Sequence, residues 1–364
     1  MTVGIDVTAS KFNAAGTKRY IDGLLSGLAQ LGATHMTPLS APEWATRSSS
    51  NRVKSKAATL YRDLWWPHVV LPSRVKAAGV DVLHLPANVG LLRCPCPMVV
   101  TMFDTTVFEQ GQHHKRWHRA VTRFGMSIAA REAAVILTIS EYSKQRISAV
   151  LAVEPSRIAV TYCGYDAKFR RFPDAERHQA ERELALGDFI LTVGTLEPRK
   201  NLGTLLEAFA SLRRSGYRGA LVHAGPRGWK SENVDRQIAD LGLSGHVRFL
   251  GYVDDVTLVR LYNLASVFVF PSLTEGFGLP VLEAMACGTP VVSACGSSLE
   301  EVGGQAARFI DPQDADDLAD ALRTVLDDPG LRDTMVRAGL ARAGQFSWRA
   351  CAELTVQAYQ RAAR

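Results

Sequence analysis

The sequence predicts an α/β protein of two Rossmann-like domains facing a cleft, with a C-terminal helix that crosses back to the first domain. Three observations carry this expectation. Apolar bursts of four or five residues alternate with helical stretches of 8–12 residues through the second half, the pattern of βαβ units around a parallel sheet. At 364 residues the chain is longer than one ordinary core holds. A charge-dense stretch containing Pro173 and no strand-like run, residues 166–188, separates the halves. The expected division is 1–170, 171–346 and a last helix at 347–364 that packs at the interdomain seam.

In the first half, strands are expected at 3–7, 80–84, 98–102 and 134–139, with helices at 16–31, 57–78, 115–131 and 143–151. The second half reads more cleanly. Strands at 189–193, 220–224, 247–250, 267–270 and 290–293 alternate with helices at 201–212, 231–241 and 256–264. A short helix follows Pro280, a residue suited to a first helical turn, and stops at Gly288. The last helix carries Trp348, Cys351, Leu354, Val356 and Tyr359, a stripe that needs a surface to bury it.

Composition narrows the class. Hydrophobic residues make up 47% and charged residues 21%, the balance of a globular protein. The chain starts directly on strand-like sequence, with no signal peptide and no apolar run near the roughly 20 residues of a membrane span. The expected location is cytoplasmic, or peripheral at the inner membrane face. Six cysteines include no C-x-x-C pair, which gives little support to a zinc site or a disulfide framework, although Cys94 and Cys96 are one residue apart. Cys287 and Cys295 read as small buried apolar groups.

The net charge of +6 is uneven. Residues 1–180 hold 23 Lys and Arg against 13 Asp and Glu, and the remainder 19 against 23. The basic half points to an anionic partner, such as a lipid phosphate, a membrane surface or a charged glycan; the alternative is a solvated Arg-rich face. The run from Gln112 to Arg123, with Trp117, allows the same two readings. Nucleic acid is not expected, because no binding motif accompanies the charge.

The chemistry concentrates in Ser272-Leu-Thr-Glu275-Gly-Phe-Gly-Leu-Pro280-Val-Leu-Glu283. A Gly-rich loop leading into a helix N-terminus offers free backbone amides to an anion. Glu275 lies in the loop and Glu283 is expected in the first turn of the helix. The strand at 189–193 ends in Gly194-Thr-Leu-Glu-Pro-Arg199-Lys200-Asn201. Ligands of open parallel sheets bind at strand carboxyl ends, so the two loops should meet. Cations at a helix start oppose the dipole, and the Arg199–Lys200 pair therefore asks for an anion such as a diphosphate. A glycosidase acid–base pair is the alternative for Glu275 and Glu283. A helix N-terminus lowers carboxyl pKa values, and neither residue has an aromatic directly beside it, so binding of sugar and ribose hydroxyls is the better fit.

This cluster resembles the retaining nucleotide-sugar glycosyltransferases of family four, which have the GT-B fold, in their mannosyl- and rhamnosyltransferase-like branch. The matching stretches are 193–202, 247–253, 271–292, 137–143, 164–166 and 346–348, so the resemblance spans the chain. It implies transfer of a hexose from a nucleoside-diphosphate sugar to an acceptor hydroxyl in glycan, glycolipid or natural-product assembly. No cofactor and no metal are implied, and front-face substitution would retain the anomeric configuration. Arg199 and Lys200 would neutralise the leaving diphosphate, Glu275 and the amides of Gly276, Phe277, Gly278 and Leu279 would hold the sugar, Glu283 would take the ribose hydroxyls, and Tyr252 would lie near the base. The acceptor would bind the first domain, near Asp104 and Ser140, and would be anionic or lipid-linked, with peripheral membrane contact through the basic domain.

Two departures stand out. Where the family often reads Gly-Ile-Gly-Arg-Tyr, this chain reads Gly16-Thr-Lys18-Arg19-Tyr20. Gly16 keeps room for a phosphate, while Lys18 either contacts phosphate or acceptor or points to solvent. Where many relatives have His-Asp, this chain has Phe103-Asp104. Asp104 then either orients the acceptor or caps an Asx turn. Phe103 opens the alternative of a donor-binding but inactive partner subunit, and the similar phosphate loops open that of a phosphorylase or epimerase of the same fold.

Overall fold

The computed structural model describes residues 1–12, 16–32, 35–46, 52–109, 116–228 and 233–364. It comprises two compact units, Met1–Gly164 with Phe346–Arg364, and Tyr165–Gln345.

Each unit is a six-stranded sheet in which every pairing is parallel. The first contains β1 (Thr2–Asp6), β2 (His35–Leu39), β3 (Val82–Leu85), β4 (Met98–Thr101), β5 (Val135–Thr138) and β6 (Ile158–Val160), in the order β2-β1-β3-β4-β5-β6. The second contains β7 (Phe189–Val193), β8 (Ala220–Ala224), β9 (Val247–Gly251), β10 (Val267–Phe270), β11 (Val291–Ala294) and β12 (Ala307–Ile310), in the order β12-β11-β10-β7-β8-β9. Both are doubly wound. The chain reverses its direction of travel across the sheet at β1/β3 in one unit and at β7/β10 in the other, and such switch points open a crevice at the strand carboxyl ends. Strands β3, β4, β5, β10 and β11 are buried along their whole length, which is why they read as continuous apolar runs without alternation.

Three strands escaped the apolar criterion. β2 carries His35 and Pro38 at one edge of the first sheet, β6 at its other edge is three residues long, and β12 carries Arg308 at an edge of the second sheet. The helix expected at 57–78 is three segments, Arg52–Leu60, a π-helical turn set Tyr61–Val70 and Leu71–Ala77. Pro67 lies inside the middle segment, where it removes a backbone donor. The charged stretch after Pro173 is not bare linker: Asp174–Leu184 is a helix that turns Ala180 inward and packs on the helix Asp255–Leu264. The helix expected from 231 begins within undescribed residues and is observed as Val234–Asp240. Residues 112–115 of the basic run lie outside the described residues; the rest starts the helix Arg116–Glu132.

The last helix, Trp348–Ala362, belongs to the first unit and packs along the helix Gly16–Leu31. Glycines make this possible. A methyl on Gly23 would overlap the Trp348 indole, and one on Gly27 would overlap the Trp348 carbonyl. Deeper in, Tyr359 Oη and His84 Nδ1 are 2.7 Å apart, His84 Nε2 and Thr101 Oγ1 2.8 Å, and Tyr20 Oη and Thr101 Oγ1 3.1 Å. This buried polar chain ties the last helix to β3, β4 and the first long helix. Burial pulls the His84 imidazole down to about 3, which keeps it neutral within the core.

Candidate active site

The β7/β10 switch gathers the predicted cations and the loop carboxylate. After β7 the chain makes a single 3-10 turn, Pro198–Lys200, and Asn201 takes a left-handed conformation at φ 57° to start the helix Leu202–Arg214. Asn201 Nδ2 donates to the carbonyls of Pro271 (3.1 Å) and Pro312 (2.5 Å), which clamps this turn to the loop after β10. Leu273 N–H donates to the Arg199 carbonyl at 2.9 Å.

Side chains complete the clamp. Lys200 Nζ lies 2.7 Å from Glu275 Oε1 and Arg199 Nη1 2.8 Å from the same oxygen. Arg199 also donates to Glu197 Oε1 at 2.7 Å and to the Thr274 carbonyl at 2.8 Å. Ser272 Oγ donates to Glu275 Oε1 at 2.5 Å, and Ser298 Oγ to the Glu275 carbonyl at 2.8 Å. The Lys200 ammonium stands 4.5 Å from the centre of the Phe270 ring. Burial alone would raise the Glu275 carboxyl; Lys200 and Arg199 more than reverse this and hold it at about 2. Burial also pulls the Lys200 ammonium down and Arg199 adds to that, with Glu275 opposing both.

The glycines at the strand tips clear the floor. Gly194 has φ 143°, and a methyl there would stand 3.3 Å from Lys200 Cε. Gly278, at φ 105°, starts the helix Leu279–Ala286, and a methyl there would meet Leu299 Cδ2 at 2.5 Å. Only glycine satisfies both demands at this loop-to-helix corner. Gly276 is half-buried, Phe277 is buried and Leu279 is half-buried. Pro280 follows Leu279 inside the first turn.

The remaining predicted residues are placed differently. Glu283 is only 2% exposed, and Tyr262 Oη donates to its Oε2 at 3.2 Å. Tyr252 is 74% exposed at the end of β9. In the first unit, Gly16 opens the helix Gly16–Leu31, and a methyl there would meet nothing within 4 Å. Lys18 pairs with Asp22 at 2.5 Å in solvent. Asp104 Oδ1 accepts from Thr106 N (3.0 Å) and Thr106 Oγ1 (2.6 Å), an Asx turn after β4. Ser140 is fully buried and its hydroxyl caps the helix Glu141–Leu151, accepting from Ser143 N. Ser143 Oγ in turn donates to the Phe103 carbonyl at 2.8 Å. The Phe103 ring meets Tyr20 edge-on at 5.1 Å, and its N–H donates to Asn88 Oδ1 at 3.0 Å.

Sequence reasoning did not single out Glu197, Asn201, Ser272 or Ser298. The first two lie inside the quoted Gly194–Asn201 stretch, where Asn before a helix is itself a turn signal. Ser272 and Ser298 carry no local signal, because their roles arise from contacts between loops.

Two doubly wound units, one with cations and a carboxylate locked together at its switch point, define a glycosyltransferase of the GT-B fold. Residues 14–169 match the family described as Glycosyltransferase Family 4, and residues 175–342 that described as Glycosyl transferases group 1. The chain belongs to glycosyltransferase family 4. It is 36% identical over 266 residues to the O-antigen chain mannosyltransferase B of Escherichia coli, covering 72% of this chain and 70% of that protein. It is 33% identical over 254 residues to the MMP alpha-(1->4)-mannosyltransferase of Mycolicibacterium hassiacum, covering 68% of this chain and 58% of that one. Among solved structures, sucrose-phosphate synthase from Thermosynechococcus elongatus superposes with TM-score 0.79 at 20% identity, over 99% of this chain and 98% of that one. HepE of Anabaena in complex with UDP-glucose superposes with TM-score 0.75 at 17% identity, over 98% of each chain. No helix among the described residues is long and apolar enough to cross a membrane.

Proposed function

We propose that the protein transfers a hexose, mannose by the names of its relatives, from a nucleoside-diphosphate sugar to an acceptor hydroxyl, with retention and without a metal ion. The observation that carries this reading is the convergence of Arg199 and Lys200 on one Glu275 oxygen at the β7/β10 switch. In the absence of donor, Glu275 is the counter-ion of the pair. Diphosphate entering the site takes over the cations, and the carboxylate, ionised throughout, turns to the hydroxyls of the sugar. Arg199 and Lys200 then stabilise the charge that develops on the departing diphosphate, the main catalytic contribution of such a site. The amides from Gly276 to Leu279 hold the sugar, Glu283 takes the ribose hydroxyls and Tyr252 borders the base.

On the acceptor side, Gly16 leaves room for a phosphate, and Asp104 would leave its Asx turn to orient the acceptor hydroxyl, with Lys18 and Ser140 flanking. The Phe103 ring packs against Tyr20 and its N–H donates to Asn88 Oδ1; nucleoside-diphosphate binding without turnover across an acceptor panel would favour the inactive-subunit alternative. The acceptor is anionic or lipid-linked. Support comes from Trp44, Trp65 and Trp117, 56%, 55% and 47% exposed on the more basic half of the chain, a composition suited to a membrane interface. The inner membrane face is the proposed place of action.

Incubation of the purified chain with nucleoside-diphosphate sugars and lipid-linked acceptors tests the reading. Lys200→Ala and Glu275→Ala are expected to abolish transfer while circular dichroism stays unchanged; full activity of the double variant would refute the assignment. Sugar phosphate released, or donor epimerised, without acceptor would favour the phosphorylase or epimerase alternative.

A further inference from the structure

We propose that Cys94 and Cys96 are a redox-active dithiol that closes to a disulfide within its own loop by exchange with a low-molecular-weight disulfide of the glutathione class. The pair lies in residues 86–97, the segment that returns from β3 to β4. The two Sγ atoms are 4.0 Å apart, within thiol hydrogen-bond reach. A disulfide needs about 2.05 Å, so side-chain rotation in one short turn must remove about 2 Å. Pro95 between them has a fixed φ and keeps the turn folded. Both cysteines pack against the core of the first unit but are only half-buried, and Leu92, Arg93, Pro95 and Pro97 around them are exposed. By contrast, Cys163, Cys287 and Cys351 are buried.

The two thiols are not equivalent. The Cys96 thiol beside Cys94 pulls the Cys94 thiol below its ordinary value, and the same contact together with burial pushes Cys96 up. With the sulfurs 4.0 Å apart, whichever thiol reacts first leaves the other in place to resolve it, and the exchange that starts at Cys94 runs through a mixed disulfide. Cys94 thiolate attacks one sulfur of the reagent disulfide and expels a thiolate, which takes up the proton Cys94 gave away. Cys96 then loses its proton to solvent, attacks the Cys94 sulfur of the mixed disulfide and expels the second thiolate, which is protonated. The protein dithiol is oxidised, and the reagent is reduced to two free thiols.

A ring that encloses one intervening residue gains little from loop closure, so the bond would not serve as a staple for the fold. Strained disulfides, as expected of so short a ring, are the readily reversed ones. The same segment carries Asn88, which holds the Phe103 N–H beside Asp104, so the thiol pair lies on the stretch of chain that shapes the acceptor-side loop.

The test equilibrates the full-length reduced protein, under nitrogen, across a series of reduced-to-oxidised glutathione ratios. Acid quenching, alkylation and peptide mass spectrometry follow. The peptide spanning Cys94 and Cys96 is expected to lose two hydrogens without a glutathione adduct as the buffer becomes oxidising, and to regain them with dithiothreitol. Cys96→Ser is expected to retain a glutathione adduct on Cys94 instead. Alkylation of both thiols at the oxidising end of the series, or stable glutathione adducts on both, would overturn the proposal.

Discussion

Lys200 and Glu275 face each other across the switch between β7 and β10, with Nζ and Oε1 2.7 Å apart and the Phe270 ring 4.5 Å from the ammonium. The cations of this site are thus already paired with carboxylates of the protein, and under the proposed function a donor must compete with them.

Competition has a separable signature. Glu275→Gln removes the charge but keeps the shape, so a nucleoside diphosphate without sugar should bind tighter, by about tenfold or about 1.4 kcal/mol. Transfer should fall, because the sugar loses a charged acceptor for its hydroxyls. Titration calorimetry with diphosphate, run beside steady-state kinetics, checks both; weaker diphosphate binding in the variant would contradict the counter-ion role.

Arg199 holds Glu197 through Nε and Nη2, and meets the Thr274 carbonyl and Glu275 through Nη1. A lysine there cannot reproduce the fork. Arg199→Lys should lower kcat/KM by roughly 10²–10³-fold, about 3–4 kcal/mol of transition-state stabilisation, as for loss of a charge-stabilising donor. Lys200→Arg should be similarly poor, because Gly194 and Phe270 shape a channel around a slim ammonium.

Two histidines make stability depend on pH. Burial holds His84 at about 3 and His223 at about 4 in the folded chain, against 6.5 when exposed. Below pH 6.5 the unfolded chain takes up protons that the folded chain refuses, so stability is complete above 6.5 and declines on acidification. The slope is about 1.4 kcal/mol per pH unit for each histidine, until the folded groups titrate. Denaturant melts at pH 7 and pH 5 measure this, and His84→Gln should flatten part of the slope.

Gly27 receives the backbone of Trp348. Gly27→Ala should cost about 1–3 kcal/mol as an overpacked contact and loosen the last helix. A fall in melting temperature with faster proteolysis after residue 345 is the expected result. The neighbouring exposed Gly16→Ala serves as the control, because its methyl meets nothing within 4 Å.

The second unit was the more legible from sequence. Its strands are short apolar runs between well-marked helices, and the expected loops after β7 and β10 do meet. Arg199, Lys200 and Glu275 were visible because their types oppose local rules: cations where the dipole disfavours them, and a carboxylate amid glycines. Edge strands β2 and β12 were not visible, since an edge need not be apolar. The sequence reading puts Glu283 in the first turn of its helix, as a ribose-binding carboxylate; the fold places it beyond that turn and buried against Tyr262. Asp104 and Ser140 could be placed at strand ends, but their turn and cap bonds depend on Thr106 and Ser143, whose geometry no spacing reveals.

The path of the chain sets an order of events during synthesis. Residues 1–164 cannot complete their core until 346–364 arrive to cover the helix Gly16–Leu31. At about 5–20 residues per second, the intervening stretch keeps the ribosome occupied for roughly 10–40 s. The half that is made first is therefore finished last, and waits with an apolar groove open that a chaperone would be well placed to shield.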